Sequence, residues 1–334
     1  MRVRLRRHRE AEAAPPWRVA VVTDSTAMLP AEVVAAHGVT VIPLQVVVDG
    51  TGYDEGTPQA TPAAVAEALT AKKAVSTSRV APATFAAAYT GLALQGYEEI
   101  VSVHLAGPLS GTVDAARQAA KTVMLPVTVV DTGTAGPALG RAVLVAVGVV
   151  ETGGSAEDAG AAASRLTSET RSYFYVDTLE YLRRGGRIGT ATALLGSALA
   201  VKPLLTIEAG RVVLHERVRT AARAIARLED LAVETATAAG GPVAVSVAHF
   251  GSPDRAAELA ASLRGRLPQT GGVSMAHAPR DDVPASDVPA ADTPIAELSA
   301  ADVPGAHVPV AEVSSVLGAH LGPGMLAVVI GPAS

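Results

Sequence analysis

No cysteine occurs in the chain of 334 residues, which excludes disulfides, thiolate zinc sites and a cysteine nucleophile. Aromatic residues make up only 3%, and Ala, Val, Leu and Gly dominate. Positive charge is also scarce: the formal net charge is −5, which argues against a general nucleic-acid binder. No run of about 18 apolar residues escapes polar interruption, so no transmembrane span is expected. The recurrent nucleotide and metal motifs are missing too. There is no G-x-G-x-x-G after a strand, no Walker loop and no H-E-x-x-H, and the eight His show no metal-ligand spacing. What remains is a chain with 49% hydrophobic and 18% charged residues, enough to build cores and too apolar to be disordered throughout. Its length suggests two domains on a prior of roughly 150 residues each.

Charge is uneven. Residues 1–16 carry five Arg and two Glu, leaving 22 Lys and Arg against 30 Asp and Glu in the rest. This arm lacks the apolar core of a signal peptide and reads as a disordered basic tail, with a transient membrane or partner contact as its alternative. A soluble, cytoplasmic protein is expected. Residues 282–311 form a second unusual stretch, DVPAS-DVPAA-DTPIA-ELSAA-DVPGA-HVPVA, with a period of five and Pro at 284, 289, 294, 304 and 309. Proline lacks the N–H that each ladder of a β-solenoid needs, so the expectation is a polyproline-like surface insertion, bounded at 279–309.

Between these stretches, strands and helices alternate, which implies a mostly parallel sheet covered on both faces. Strands are expected at Arg18 to Val22, Val39 to Val48, Ile100 to Val103 and Val127 to Val130, with helices opened by Pro30, Pro62, Pro82 and Pro137. Asp49 to Asp54 reads as a loop. A first domain at 17–168 and a second at 169–334 follow. The second holds a strand at Tyr173 to Asp177, a hairpin around Ala209-Gly210-Arg211, an Ala-rich helix at 219–238 and a strand at Leu326 to Ile330.

Three hydroxyl-rich segments stand out: Asp24-Ser25-Thr26, Ser76-Thr77-Ser78 and Leu109-Ser110-Gly111-Thr112. All three are expected at carboxyl ends of strands or at helix starts, the edge where open α/β sheets bind ligands and where free helix N–H groups favour an anion. Plain capping is the competing explanation for each. A phosphate site normally adds Lys or Arg, and none falls within Ser110 to Thr112, so a carboxylate suits these neutral groups better. Gly107-Pro108-Leu109-Ser110-Gly111 is superficially like a nucleophile elbow, but its Ser comes one place late.

Seven short motifs occur in one order. They are Val19 to Thr26 (VAVVTDST), Val41-Ile42-Pro43-Leu44 with Tyr53-Asp54, Ser76-Thr77-Ser78, Leu109 to Thr112 with Ala115-Ala116, Leu182 to Ile188 (LRRGGRI), Val201 to Leu205 (VKPLL), and His320 to Gly324 (HLGPG). In that order the chain resembles the DegV family, the fatty-acid-binding subunits (FakB) of bacterial fatty acid kinase. The resemblance spans about 19–330. It implies a two-domain α/β fold, an N-terminal parallel-sheet domain plus a C-terminal domain with a mixed sheet, and a ligand between them. It further implies a long-chain fatty acid as ligand, no cofactor and no metal, and a separate ATP-using kinase subunit that phosphorylates the bound carboxylate to an acyl phosphate. The present chain would be a substrate carrier without turnover. Thr77, Ser78, Ser110, Gly111, Thr112 and His320 match the ligand-binding positions, and Arg187 matches a partner or phosphate contact.

One departure is visible: Arg79 and Val80 replace the Gln and Pro of the family's T-S-Q-P-S element, which puts a cation near the pocket mouth. A sixteen-carbon chain would gain on the order of 11 kcal/mol gross at roughly 0.8 kcal/mol per buried CH2, so the head-group site need only orient it. The Ala- and Val-rich helices are expected to leave room for a slender tunnel. Three other readings stay open: a serine hydrolase using Ser110 and His320, a small-ketone carrier resembling the substrate subunit of dihydroxyacetone kinase, and a binding module acting through the basic arm or the repeat.

Overall fold

A computed structural model describes residues 17–189, 191, 202–268 and 307–333. The tail at 1–16, Val201 and the repeat up to residue 306 lie outside the described residues. The chain runs β1 (Val19–Asp24), α1 (Ala31–His37), β2 (Thr40–Ile42), β3 (Gln45–Val48), β4 (Thr51–Asp54), α2 (Pro62–Thr70), β5 (Val75–Ser78), α3 (Pro82–Gln95), β6 (Glu99–His104), α4 (Thr112–Ala120), β7 (Val127–Asp131), α5 (Pro137–Glu151) and α6 (Ala156–Glu169). It continues through β8 (Arg171–Tyr175), α7 (Glu180–Arg184), β9 (Lys202–Glu208), β10 (Arg211–Val218), α8 (Ala221–Ala238), β11 (Val243–Phe250), α9 (Pro253–Arg266), β12 (Val310–Glu312), α10 (Ser315–Leu321) and β13 (Met325–Pro332).

The architecture is the α/β one expected. Among the described residues, a parallel sheet has the order β2-β1-β6-β7, and a mixed sheet has the order β10-β9-β8-β13-β11-β12. Every residue of β1 is buried, as a strand with neighbours on both edges and helices on both faces requires. Proline fixes helix starts as the sequence indicates: Thr61 caps α2 through its side chain, with Pro62 in the first turn. Pro30 is the exception, standing just before α1 rather than inside it.

Two expectations are corrected. Asp49 to Asp54 is not a loop: Asp49 and Gly50 take positive φ, 48° and 85°, and turn the chain into β4, which pairs antiparallel with β3. An Asp-Gly pair is favoured in such a tight turn because both central residues need left-handed backbone. The second correction concerns the end of the proline repeat. Pro309 offers its carbonyl to Val247 N–H, and the following residues form β12, a parallel edge strand against β11. The missing proline N–H is tolerated at a sheet edge.

A buried polar chain fixes the end of β1 against the end of β6. Tyr89, Ser102, His104 and Asp24 are sealed from solvent. Tyr89 OH lies 2.7 Å from Ser102 Oγ, which lies 2.6 Å from His104 Nε2, and His104 Nδ1 lies 3.0 Å from Asp24 Oδ2. Burial pushes the Tyr89 phenol up to about 12, so it stays a donor. Asp24 also accepts from Leu105 N–H and Thr26 N–H, each at 3.1 Å. The residue types are those of a Ser-His-Asp triad, but no substrate reaches a serine buried in a central strand. The set is a structural clamp at the root of the loop that carries Ser110. Asp24→Asn puts an amide where two donors converge and should destabilise the fold by about 3 kcal/mol. A urea midpoint shift worth less than about 1 kcal/mol would show that the clamp is dispensable.

Candidate functional site

The hydroxyl-rich segments do not share one sheet edge. Ser76-Thr77-Ser78 lies in β5, a strand of the small antiparallel sheet ordered β4-β3-β5, where Thr77 pairs with Val46 and Ser78 with Gln45. It caps no helix: α3 begins from Ala81 without a side-chain cap. Strand alternation sends neighbouring side chains to opposite faces. Thr77 is half-buried, while Ser76 and Ser78 are exposed. Ser78 donates to Gln45 Oε1 at 2.8 Å, on the face away from Thr77, so the predicted ligand residue Ser78 stands apart from the others. Asp24-Ser25-Thr26 is also spent on structure, because Ser25 Oγ accepts Leu44 N–H at 3.0 Å.

Across from Thr77 stands His320, near the end of α10. Ser314 caps this short helix, its Oγ accepting Leu317 N–H. The helix is tied to the loop after β4 by Glu55 Oε1, which accepts Ser315 Oγ at 2.7 Å and Val316 N–H at 3.0 Å. Glu55 therefore sets where His320 sits, and no sequence motif pointed to it. The result is a contact of 2.9 Å between Thr77 Oγ1 and His320 Nε2, residues 243 positions apart.

The other edge of the imidazole lies against Gly185. A Cβ there would come within 2.0 Å of His320 Nδ1, so only glycine allows this approach. Gly185 belongs to the Leu182 to Ile188 segment, and the half-buried Arg187 follows it. Arg187 donates from Nε to Leu109 O at 2.9 Å and from Nη1 to Gly185 O at 2.6 Å. It thus joins the His320 side of the site to the loop holding Ser110. Ser110 Oγ and Thr112 Oγ1 are 2.8 Å apart at the start of α4, with Gly111 as its N-cap. Thr77, His320, Arg187, Ser110, Gly111 and Thr112 therefore form one connected array. Ser110 and His320 each take a different partner, so the hydrolase pairing is not formed.

Burial, and then the nearby Arg187 cation, lower His320 to about 4, which makes the imidazole neutral at physiological pH. Its Nδ1 is buried without a hydrogen-bond partner. The guanidinium on the Gly185 side favours a lone pair rather than a proton on Nδ1. With the proton on Nε2, the imidazole donates to Thr77 Oγ1 and the Thr77 hydroxyl proton is free for a ligand. Arg187 is itself shifted down, by burial first and by Arg79 second.

The cleft beside His320, lined in part by Leu69, Val75, Tyr181 and Ala319, holds about 30 Å³, against the roughly 300–1,000 Å³ of ordinary ligand pockets. Among the described residues no helix is long and apolar enough to cross a membrane, and no group of three or more acidic or His residues is placed to hold a metal.

The histidine shift has a consequence for stability. An unfolded chain takes up the His320 proton near pH 6.5, the folded chain only near pH 4, so stability falls as pH drops through that window. The full difference is on the order of 3 kcal/mol. Denaturant unfolding from pH 7 to 4 should show a shallower loss in His320→Gln than in the parent; parallel curves would contradict the buried neutral imidazole.

The profile of the family described as "Uncharacterised protein, DegV family" matches residues 18–279. A DegV domain-containing protein of Streptomyces coelicolor is 46% identical over 312 residues, covering 93% of this chain and 98% of its own. One from Deinococcus radiodurans is 40% identical, covering 72% of this chain and 85% of its own. Among solved structures, a DegV family protein from Thermus thermophilus, described for its fatty acid binding, superposes with a TM-score of 0.75 at 32% identity, covering 94% of this chain and 99% of its own. The fatty acid binding protein DegV from Bacillus subtilis gives 0.76 at 28% identity, with the same coverage. The parallel and mixed sheets, the order of motifs and the matched length agree: this chain belongs to the DegV family.

Proposed function

We propose that this protein binds a long-chain fatty acid and presents its carboxylate to a separate ATP-using kinase, carrying out no turnover itself. The observation that carries the reading is the Thr77–His320 contact, in a desolvated corner that also holds Arg187 and the Ser110 loop. A carboxylate is the ligand these groups complement. Thr77 and Ser110 donate to its oxygens, Gly111 opens the N-terminus of α4 toward it, and Arg187 supplies long-range attraction. The solved relatives that are described as fatty acid binding support the acyl part.

Affinity comes mainly from the tail, at roughly 0.8 kcal/mol per buried CH2. Leu109, Ile188 and Leu321, half-buried apolar residues adjacent in the chain to the site residues, offer a tail apolar surface to lie against. In the kinase step one carboxylate oxygen forms a bond to the γ-phosphorus of ATP, the bond to the bridging oxygen breaks, and ADP leaves. This chain's part is to hold the carboxylate still and to exclude water from the acyl phosphate.

Native mass spectrometry of the full chain made in bacteria should reveal a bound fatty acid. A lipid-free spectrum together with no uptake of added palmitate or oleate would defeat the reading. Thr77→Ala and Ser110→Ala should each weaken carboxylate binding by about 1 kcal/mol, close to fivefold in Kd. Acyl phosphate formation with a fatty acid kinase should fall further than lipid retention; unchanged turnover in both variants would refute the site assignment.

A further inference from the structure

The loop from Leu109 to Gly111 is flanked by two arginines that come from different parts of the fold. Arg187 reaches it from the segment after α7, donating from Nε to Leu109 O at 2.9 Å. Arg79 reaches it from the end of β5 and lies over Gly111: a Cβ on that glycine would stand 3.3 Å from Arg79 Cδ and 3.5 Å from its Nε. Elsewhere the chain pairs many of its arginines with acids. Arg183 and Arg184 share Glu180, Arg227 bridges Glu216 and Glu234, and Arg266 bridges Glu229 and Asp230. Among the described residues neither Arg79 nor Arg187 forms a hydrogen bond or ion pair with a carboxylate. Two cations are therefore held together without an acid between them, in a chain whose net charge is −5. The repulsion is felt, because Arg79 contributes to lowering Arg187.

Such a pair costs free energy unless an anion bridges it. One carboxylate cancels only one of the two charges, and the neutral His320 adds no acid to cancel the other. The hydroxyls of Ser110 and Thr112 and the start of α4 supply further donors around the same point. The arrangement suits a group with two negative charges and three acceptor oxygens.

Resting on the carboxylate site proposed above, we infer that Arg79 is a specificity-determining residue that makes the head-group site prefer a phosphate dianion on a long apolar chain, an acyl or alkyl phosphate, over the free carboxylate. The phosphorylated lipid is then held more tightly than its precursor. By linkage, this differential binding draws the phosphoryl transfer toward product on the carrier.

The test uses the full chain stripped of lipid, titrated calorimetrically at pH 8 with tetradecyl phosphate, myristate and inorganic phosphate. The parent should bind tetradecyl phosphate about tenfold or more tighter than myristate. Arg79→Gln should erase that preference while changing myristate affinity less than about threefold, and Arg79→Lys, which keeps the charge but not the planar fork, should keep part of it. Arg79 is exposed, so unchanged thermal unfolding is expected of both variants. Equal affinities in the parent, or a preference that survives in Arg79→Gln, overturn the inference. Inorganic phosphate competing at the same concentration as tetradecyl phosphate also overturns it, by marking a free-phosphate site. A parent that takes up neither lipid defeats the underlying carboxylate reading instead.

Discussion

The site depends on how closely α10 approaches the small β4-β3-β5 sheet. That approach is set by one carboxylate, Glu55, whose Oε1 holds both Ser315 and Val316 at the head of the helix. A second close contact acts at the helix centre, where Gly318 lies against the Phe250 ring at a distance that leaves no room for a Cβ. Together they seat α10 between the small sheet and the mixed sheet, and His320 emerges at its far end facing Thr77. Because Thr77 lies in a strand of the small sheet and His320 on α10, far apart in the chain, the array exists only when the parts are docked. A disturbance at Glu55 therefore acts on the head-group site without touching it.

Electrostatics sharpen what this geometry permits. Desolvation makes the imidazole neutral, and the same desolvation strengthens each hydrogen bond that the corner makes to an anion. A protonated histidine would add a cation beside Arg187, which Arg79 already repels. Under the proposed reading the corner would bind through oriented hydroxyl dipoles near charges that stand one step back. Such donors would fix the direction of a carboxylate while leaving it nucleophilic, whereas a tight bidentate ion pair would hold its lone pairs away from phosphorus.

Much of the fold was legible in the residues. α3 starts at Pro82 as its proline indicates, and it ends at Gly96, which takes the left-handed backbone usual for a glycine there. Other elements escaped because their signals are short or unusual. The capping box at Ser155 and Asp158 marks α6 in a stretch otherwise poor in pattern. Asp49-Gly50 marks the hairpin that creates the small sheet, and missing it placed Thr77 at a helix start rather than in a strand. Period-two alternation, applied to Ser76-Thr77-Ser78, separates Thr77 from its neighbours, and Ser78, a ligand-binding position by resemblance, falls on the other face. His320 and Arg187 were found by resemblance alone: seven helical residues and a Gly-rich loop carry no local signal of a site. Glu55 and the Leu109 carbonyl were out of reach of sequence patterns, since their roles arise from tertiary docking.

The proposed long ligand suits a small cleft once head and tail are given separate tasks. Under that reading a chain of sixteen carbons would supply its affinity by leaving water, and that gain would not depend on how the carboxylate is held. The head-group donors would contribute little to total affinity and nearly all of the orientation. Thr77 and Ser110 would then decide which way the carboxylate faces, and the tail would decide how long it stays.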